Sequence, residues 1–201
     1  MRSKYVIYIL LILVLVQTYS IYNLYQTNKA VAQNLNIQGN KYTRIIGLDY
    51  IASIKTDGYA IPGGIILHTA YKQSVSLDSL LSSGKKLVVR YPITACQACI
   101  EQQIPLINDL AEKIGYENII FISPYTSGRY IEIIQKKHSL KFEIYLNTEL
   151  GTPIEELSET LMFISDNNKI VSHAFVPRKE FPVFLEKYFH FIQGFFEKNI
   201  S

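Results

Sequence analysis

The sequence predicts an α/β domain, with a central sheet flanked by helices, that follows an apolar N-terminal segment. Two observations predict the domain: short aliphatic runs of strand length alternate with segments in which apolar residues recur at helical spacing. A third observation sets the N-terminal segment apart, because no charged residue occurs between Tyr5 and Asn28. The chain therefore combines one folded domain with a segment suited to targeting or anchoring.

Length and charge narrow the functional classes. The 201 residues leave room for one domain of ordinary size beside the apolar segment. The formal charge is +3, but Arg2 and Lys4 precede the apolar segment, and without them the 20 basic residues fall to 18, against 17 acidic residues. The folded part is nearly neutral, which is not the electrostatic footprint of a nucleic-acid-binding protein.

Residues 1–28 are predicted to form a signal anchor. Twelve consecutive apolar residues, Tyr5–Val16, lie at its centre, and extension to Tyr25 gives 21 residues. As a helix this stretch would be about 31 Å long, close to the hydrocarbon thickness of a bilayer. We therefore expect a transmembrane helix at about residues 5–25. The basic residues before it would stay inside, so that the rest of the chain is exported to the periplasmic or extracellular side.

A cleaved signal peptide is the alternative to a retained anchor. The best small-residue cleavage pattern is Ala30-Val31-Ala32, which lies about fourteen residues beyond the apolar core and is too far from it. The retained anchor is therefore favoured, and both alternatives export the domain. Residues 29–55 are polar and rich in small side chains, without convincing periodicity, and are assigned to a tether. The folded domain is assigned to residues 56–201.

The elements of the domain follow from its periodicity. A turn and a short strand are expected within Tyr59–His68, and a short surface helix at Ser74–Ser83. Further strands are predicted at Leu87–Tyr91, Asn118–Ser123, Glu143–Asn147, Thr160–Ile164 and Lys169–Phe175. Helices are predicted from the first cysteine to Gly115 with Pro105 inside, at Ser127–Lys137, and at the C-terminal end. The C-terminal helix carries one apolar stripe: Phe181, Phe184, Leu185, Tyr188, Phe189, Ile192, Phe195 and Phe196.

The two cysteines of the chain, Cys96 and Cys99, are three residues apart. Chance alone would give this spacing in about one chain in a hundred. They follow the predicted strand Leu87–Tyr91 and begin the next helix, where unpaired N–H groups and the positive end of the helix dipole stabilise a thiolate. We therefore predict a redox-active CxxC pair in which Cys96 is the exposed attacking sulfur and Cys99 the more buried resolving sulfur.

From Lys85 to about Tyr188, the sequence resembles the thioredoxin-like superfamily, in particular its membrane-anchored, exported members. Four features carry the resemblance: the strand Leu87–Tyr91 leading into Cys96-Gln97-Ala98-Cys99, the helix that contains Pro105, the strand Ile119–Ser123, and Thr160–Ile164 with the turn and strand after it. The resemblance implies a thioredoxin-like central sheet flanked by helices, with Cys96 and Cys99 as the catalytic pair.

The sequence departs from the family before the strand Thr160–Ile164, where the family has a cis-proline. The corresponding residue here is Glu159. A carboxylate at this position would oppose a thiolate and raise the pKa of Cys96 if the two lie close, which makes Glu159 a candidate modulator of the site. Pro153 is the alternative candidate for the proline position, with residues 154–159 as an insertion.

The resemblance implies a membrane-tethered thiol–disulfide oxidoreductase. Its partners would be the thiols or disulfides of exported proteins and a membrane or exported electron donor, and no organic cofactor would be needed. A resident zinc ion is not expected, because the two cysteines lack further ligands at suitable spacing. Two alternatives stay open: a non-catalytic interaction module with a structural or regulatory disulfide, and a copper carrier that uses both cysteines and His173, although such carriers usually space their cysteines as CxxxC.

Overall fold

The structure is a computed structural model that describes residues 2–125, 127–146, 149–153 and 159–198. The chain divides into two compact units, one up to Leu48 and one from Asp49 onward. The helices are α1 (Arg2–Thr56), α2 (Leu77–Ser82), α3 (Gln97–Ile114), α4 (Gly128–His138) and α5 (Pro182–Glu197). The strands are β1 (Ile66–His68), β2 (Ser74–Ser76), β3 (Lys86–Arg90), β4 (Ile119–Ile122), β5 (Ile144–Tyr145), β6 (Leu161–Ser165) and β7 (Ser172–Phe175).

Helix α1 covers both the predicted signal anchor and the predicted tether. Residues 29–55 are helical although their sequence lacks periodicity, and no proline interrupts them. Among the residues whose side chains the structure describes, no helix is both long enough and apolar enough to cross a membrane. The side chains of residues 1–12, which include most of the apolar core of the predicted transmembrane segment, lie outside the described residues.

The folded unit is built on a five-stranded sheet with the order β5-β4-β3-β6-β7. All five residues of β3 are buried, which places this aliphatic run at the centre. Strand β3 pairs in parallel with β4 and antiparallel with β6, while β5 and β7 extend the two sides. This mixed sheet with its flanking helices fits the thioredoxin-like fold that the sequence predicts. A separate antiparallel hairpin joins β1 to β2.

Alternate residues of β3 face two different cores, as the two-residue period of a strand requires. Leu87 and Val89 belong to a core that also contains buried residues of α3, α4 and α5. Val88 belongs to a second core, shared with the β1–β2 hairpin and α2. Helices therefore cover both faces of the sheet, and the helix that begins at the cysteines is fixed against its centre.

The strands and helices predicted after Gly84 are confirmed, with changes at some ends. Strand β7 begins only at Ser172, and Lys169, the predicted first residue of the strand, adopts a left-handed conformation, φ 59°, in the preceding turn. The predicted surface helix Ser74–Ser83 is wrong at its start, where three residues form β2 and pair with β1. On α5 the predicted stripe is buried only in part, since Phe184 is 48% exposed.

The packing of α3 on the sheet gives a stability test. Ile107 is fully buried in the core between α3 and β3, so Ile107→Ala should reduce the free energy of unfolding by about 2–5 kcal/mol. Ile133 on α4 is 52% exposed, and Ile133→Ala should change the free energy of unfolding by about 0.5 kcal/mol or less. Urea denaturation of both variants measures the difference. Equal losses would show that α3 is not packed as described.

Candidate redox site

The sheet topology brings three separate parts of the chain to one edge. Strand β3 ends at this edge, and because β6 is antiparallel to β3, with Arg90 opposite Leu161, β6 begins there. Strand β7 is antiparallel to β6 and therefore ends at the same edge. The loop before α3, the residues before β6 and the residues after β7 consequently meet, although about eighty residues separate the first from the last.

Cys96 is the N-cap residue of α3. Its backbone is extended, with φ −65° and ψ 119°, and its sulfur accepts a hydrogen bond from the backbone N–H of Cys99 at 3.4 Å. The N–H of Ala95 donates to the carbonyl of Pro92 at 2.9 Å, which forms a tight turn directly before the cap. The sulfur of Cys96 therefore lies where the first N–H groups of the helix have no backbone partner.

The two thiols occupy different environments. Cys96 is exposed and Cys99 is half-buried, as the sequence predicts, and both are present as free thiols. The pKa of Cys96 is lowered, chiefly by the thiol of Cys99, then by the N–H groups of Cys99 and Ala98 and by the positive charge of Lys179. The pKa of Cys99 is raised, chiefly by its contact with Cys96 and then by burial. These opposite directions suit an attacking thiolate beside a protonated thiol.

Cys96 and Cys99 line an open cleft of ≈ 270 Å³. Its lining includes both cysteines, Thr94, Gln103, Glu159, Thr160 and the loop after β7. Tyr91 also lines the cleft but is almost fully buried, and its hydroxyl donates to Oε1 of Gln103 at 2.7 Å. Burial, together with the charge of Cys99, raises the pKa of Tyr91, so this hydroxyl keeps its proton.

Glu159, the candidate modulator, lines the cleft together with both cysteines. Its Oε1 forms an ion pair with Nη1 of Arg178, 2.9 Å away. The net shift of the Cys96 pKa is downward, and the role of Glu159 as a modulator of the site stays a prediction. Arg178 balances this carboxylate, and the charge of Lys179 favours the Cys96 thiolate after the larger contributions of the Cys99 thiol and the helix N–H groups. Pro153, the alternative for the proline position, does not line the cleft, and the described residues contain no cis peptide bond.

A second group of side chains holds Gln97, the first of the two residues between the cysteines. Nε2 of Gln97 donates to the hydroxyl of Tyr130 on α4, and to Oε1 of Glu101 at 3.0 Å. Lys137 of α4 pairs with Glu101 at 2.6 Å, which lowers the pKa of this carboxyl. The ring of Tyr125 packs edge-on against Tyr130, with ring centroids 4.3 Å apart. The first turn of α3 is thus tied to α4.

Sequence reasoning finds the cysteines and Glu159, and it misses Arg178, Lys179 and Tyr130. Arg178 and Lys179 have a visible signal in the sequence, because they form a pair of adjacent basic residues shortly after the last strand. Only Val176 and Pro177 separate them from its end at Phe175. The signal becomes meaningful only with the strand order, because the antiparallel pairing of β7 places its end beside the cysteines. Tyr130 carries no such signal, since its role depends on how α4 packs beside α3.

His173, the third ligand of the copper hypothesis, does not line the cleft. Its ring packs edge-on against Phe191 and Phe195 of α5, with centroids 5.0 and 5.1 Å away. In the part of the chain that the structure describes, no group of three or more His, Cys, Asp or Glu side chains could hold a metal ion. The structure therefore does not assemble the donor set that this hypothesis needs.

No protein-family model and no curated protein sequence matches the chain. Among solved structures, a Chlorobium tepidum protein assigned as thiol:disulfide interchange protein DsbE is similar, with 16% identity over 68% of this chain and 97% of that one, and a TM-score of 0.48. A Bacteroides thetaiotaomicron protein assigned as a protein disulfide isomerase has 15% identity over 65% and 86%, with a TM-score of 0.47. A protein assigned to electron transfer from Aquifex aeolicus has 13% identity over 60% and 85%, with a TM-score of 0.47.

The opposite pKa directions predict selective alkylation of the reduced protein. Because the pKa of Cys96 is lowered and that of Cys99 is raised, lowering the pH from the alkaline range protonates Cys99 first and leaves Cys96 as thiolate. Iodoacetamide at neutral pH should therefore modify Cys96 before Cys99. Fragment-ion mass spectrometry locates the adduct. Earlier modification of Cys99 would contradict the assignment of the two sulfurs.

Proposed function

We propose that this protein is a thiol–disulfide oxidoreductase in which Cys96 attacks and Cys99 resolves. The single observation that carries the proposal is the placement of an exposed sulfur of lowered pKa at a helix N-cap, one turn from a half-buried thiol. A structural disulfide has no need of an exposed thiolate or of an open cleft beside it. An exchanging enzyme needs both, because its substrate sulfur must approach the nucleophile.

In the reducing direction, the Cys96 thiolate attacks one sulfur of a substrate disulfide. A Cys96–substrate disulfide forms, and the second substrate sulfur leaves as a thiolate. Cys99 then loses its proton and attacks the Cys96 sulfur, which forms the Cys96–Cys99 disulfide and releases the first substrate sulfur as a thiolate. Two electrons pass from the dithiol to the substrate, and an external dithiol donor must return them.

The apolar N-terminal segment supports a membrane-tethered enzyme. We propose that residues 1–28 anchor the chain and that the domain acts on the exported side, on the thiols or disulfides of exported proteins. The basic residues before the apolar run and the absence of charge between Tyr5 and Asn28 support this orientation. A membrane or exported dithiol protein would then supply the electrons. Protease accessibility of the domain in intact cells and in spheroplasts tests the topology, and a domain that stays protected in spheroplasts would contradict it.

A non-catalytic interaction module is the second candidate. The observation that favours it is the Glu159–Arg178 ion pair in the lining of the cleft, because the resemblance aligns Glu159 with the cis-proline of the thioredoxin-like superfamily. In such a module, the Cys96–Cys99 disulfide would be structural or regulatory, and the cleft would contribute to docking rather than to exchange.

The reduction potential separates the two candidates. An exchanging enzyme should have a potential of about −270 to −180 mV, the range between thioredoxin and protein disulfide isomerase, because its disulfide must form and break in use. Equilibration of the full-length protein in glutathione buffers, with mass spectrometry of the two cysteines, measures it. A potential below about −300 mV would favour the structural disulfide of an interaction module.

Cysteine variants test the order of the two steps. Cys96→Ser should abolish catalysed reduction of insulin by dithiothreitol, because the nucleophile is lost. Cys99→Ser should instead accumulate a mixed disulfide between Cys96 and the substrate, visible on a non-reducing gel. Full activity in the Cys96→Ser variant would contradict the mechanism, and so would a Cys96→Ser variant that traps substrate in place of Cys99→Ser.

A further inference from the structure

The loop that follows β7, residues 177–180, lines the cleft together with the two cysteines. We propose that this loop adjusts the reactivity of Cys96, beyond the effect of the helix cap, through two neighbouring cations with separate tasks. Arg178 balances the negative charge of Glu159 through an ion pair, and Lys179 adds a positive charge to the cleft that the two sulfurs share. The proposal rests on the proposed role of Cys96 as the attacking sulfur and assigns residues that act through it.

The task of Arg178 follows from its ion pair. Its side chain is 18% exposed and that of Glu159 is 34% exposed, with 2.9 Å between Nη1 and Oε1. Both groups are thus partly removed from water. Charges interact more strongly in such a partly buried position than on an open surface. A carboxylate that shares a cleft with a thiolate disfavours the thiolate unless a cation balances it. Arg178 supplies that cation.

The task of Lys179 follows from its position next to the pair. Its side chain is exposed and lines the same cleft as Cys96 and Cys99. Its charge favours the thiolate form of both cysteines. This arrangement suits exchange, because the negative charge lies on Cys96 before attack and on Cys99 when the mixed disulfide is resolved. One cation beside both sulfurs therefore stabilises the reacting thiolate in both steps.

The other titratable groups described near Cys96 do not supply the positive charge that stabilises its thiolate. From the side of α3 and α4, Glu101 is paired with Lys137, and the pKa of Tyr125 is raised, chiefly by burial, so its hydroxyl is neutral. Glu180 lines the cleft as a second carboxylate. Among the described residues that line the cleft, Arg178 and Lys179 are therefore the cations next to the sulfurs.

The test is the pH profile of alkylation at Cys96 in the reduced, full-length protein, with the adduct located by mass spectrometry. Lys179→Gln should move the midpoint to higher pH and slow alkylation at acidic pH by about two- to five-fold, as for the loss of one exposed charge interaction. Lys179→Arg should keep the wild-type profile. Lys187→Gln, on the exposed side of α5 and outside the cleft, is the matched control and should leave the profile unchanged.

Arg178 is tested by a double-mutant cycle with Glu159. Arg178→Gln alone should move the midpoint upward, because it leaves the carboxylate without its cation. Arg178→Gln combined with Glu159→Gln should restore a profile near that of the wild type. Arg178→Lys keeps the charge in case the uncharged variant does not fold, and it should retain most of the wild-type profile.

Two results would overturn the proposal: a wild-type profile for Lys179→Gln, or an equal shift for Arg178→Gln with and without Glu159. The readout is also independent of the proposed function. If Cys96 shows the expected profiles while the wild-type protein fails to reduce disulfides, the oxidoreductase assignment fails and the electrostatic assignment of the loop stands.

Discussion

Strand β6 runs antiparallel to β3 with Arg90 opposite Leu161, and this pairing fixes which residues meet around the cysteines. It brings the start of β6, with Glu159, to the edge where β3 ends. It also directs β7 so that Arg178 and Lys179 arrive at the same edge. A shift of one residue in this register would turn every side chain of β6 to the opposite face of the sheet. The chemistry of the site therefore depends on backbone hydrogen bonds that lie outside it.

The environment of Cys96 combines a local and a distant contribution. The local one is the helix cap, in which the N–H of Cys99 donates to the sulfur, and it is available wherever a cysteine precedes a helix. The distant one comes from the loop after β7 and requires the complete sheet. Partial unfolding that released β7 would leave the helix cap in place but remove the cations. The thiolate would then lose part of its stabilisation before α3 itself unfolds.

Features that depend on residues close together in the sequence could be predicted, and features that depend on contacts between distant segments could not. The strand Leu87–Tyr91, the helix of the cysteines and the α/β layout could be predicted from the sequence, because each produces its own periodicity over a few residues. The helical state of residues 29–55 could not, since their sequence has no amphipathic pattern. The position of Glu159 could be predicted from a family resemblance, but its pairing with Arg178 could not, because that contact depends on the register of two antiparallel strands.

The half-buried position of Cys99 also bears on oxidative damage. An exposed thiolate such as Cys96 is the first group that peroxide converts to a sulfenic acid, and further oxidation to the sulfinic and sulfonic acids is irreversible without dedicated repair. Cys99 lies about one helical turn away and is less exposed than Cys96. It can condense with the sulfenic acid to form a disulfide, with loss of water. The protein would then need only a reducing partner, and no repair enzyme, to recover its thiols.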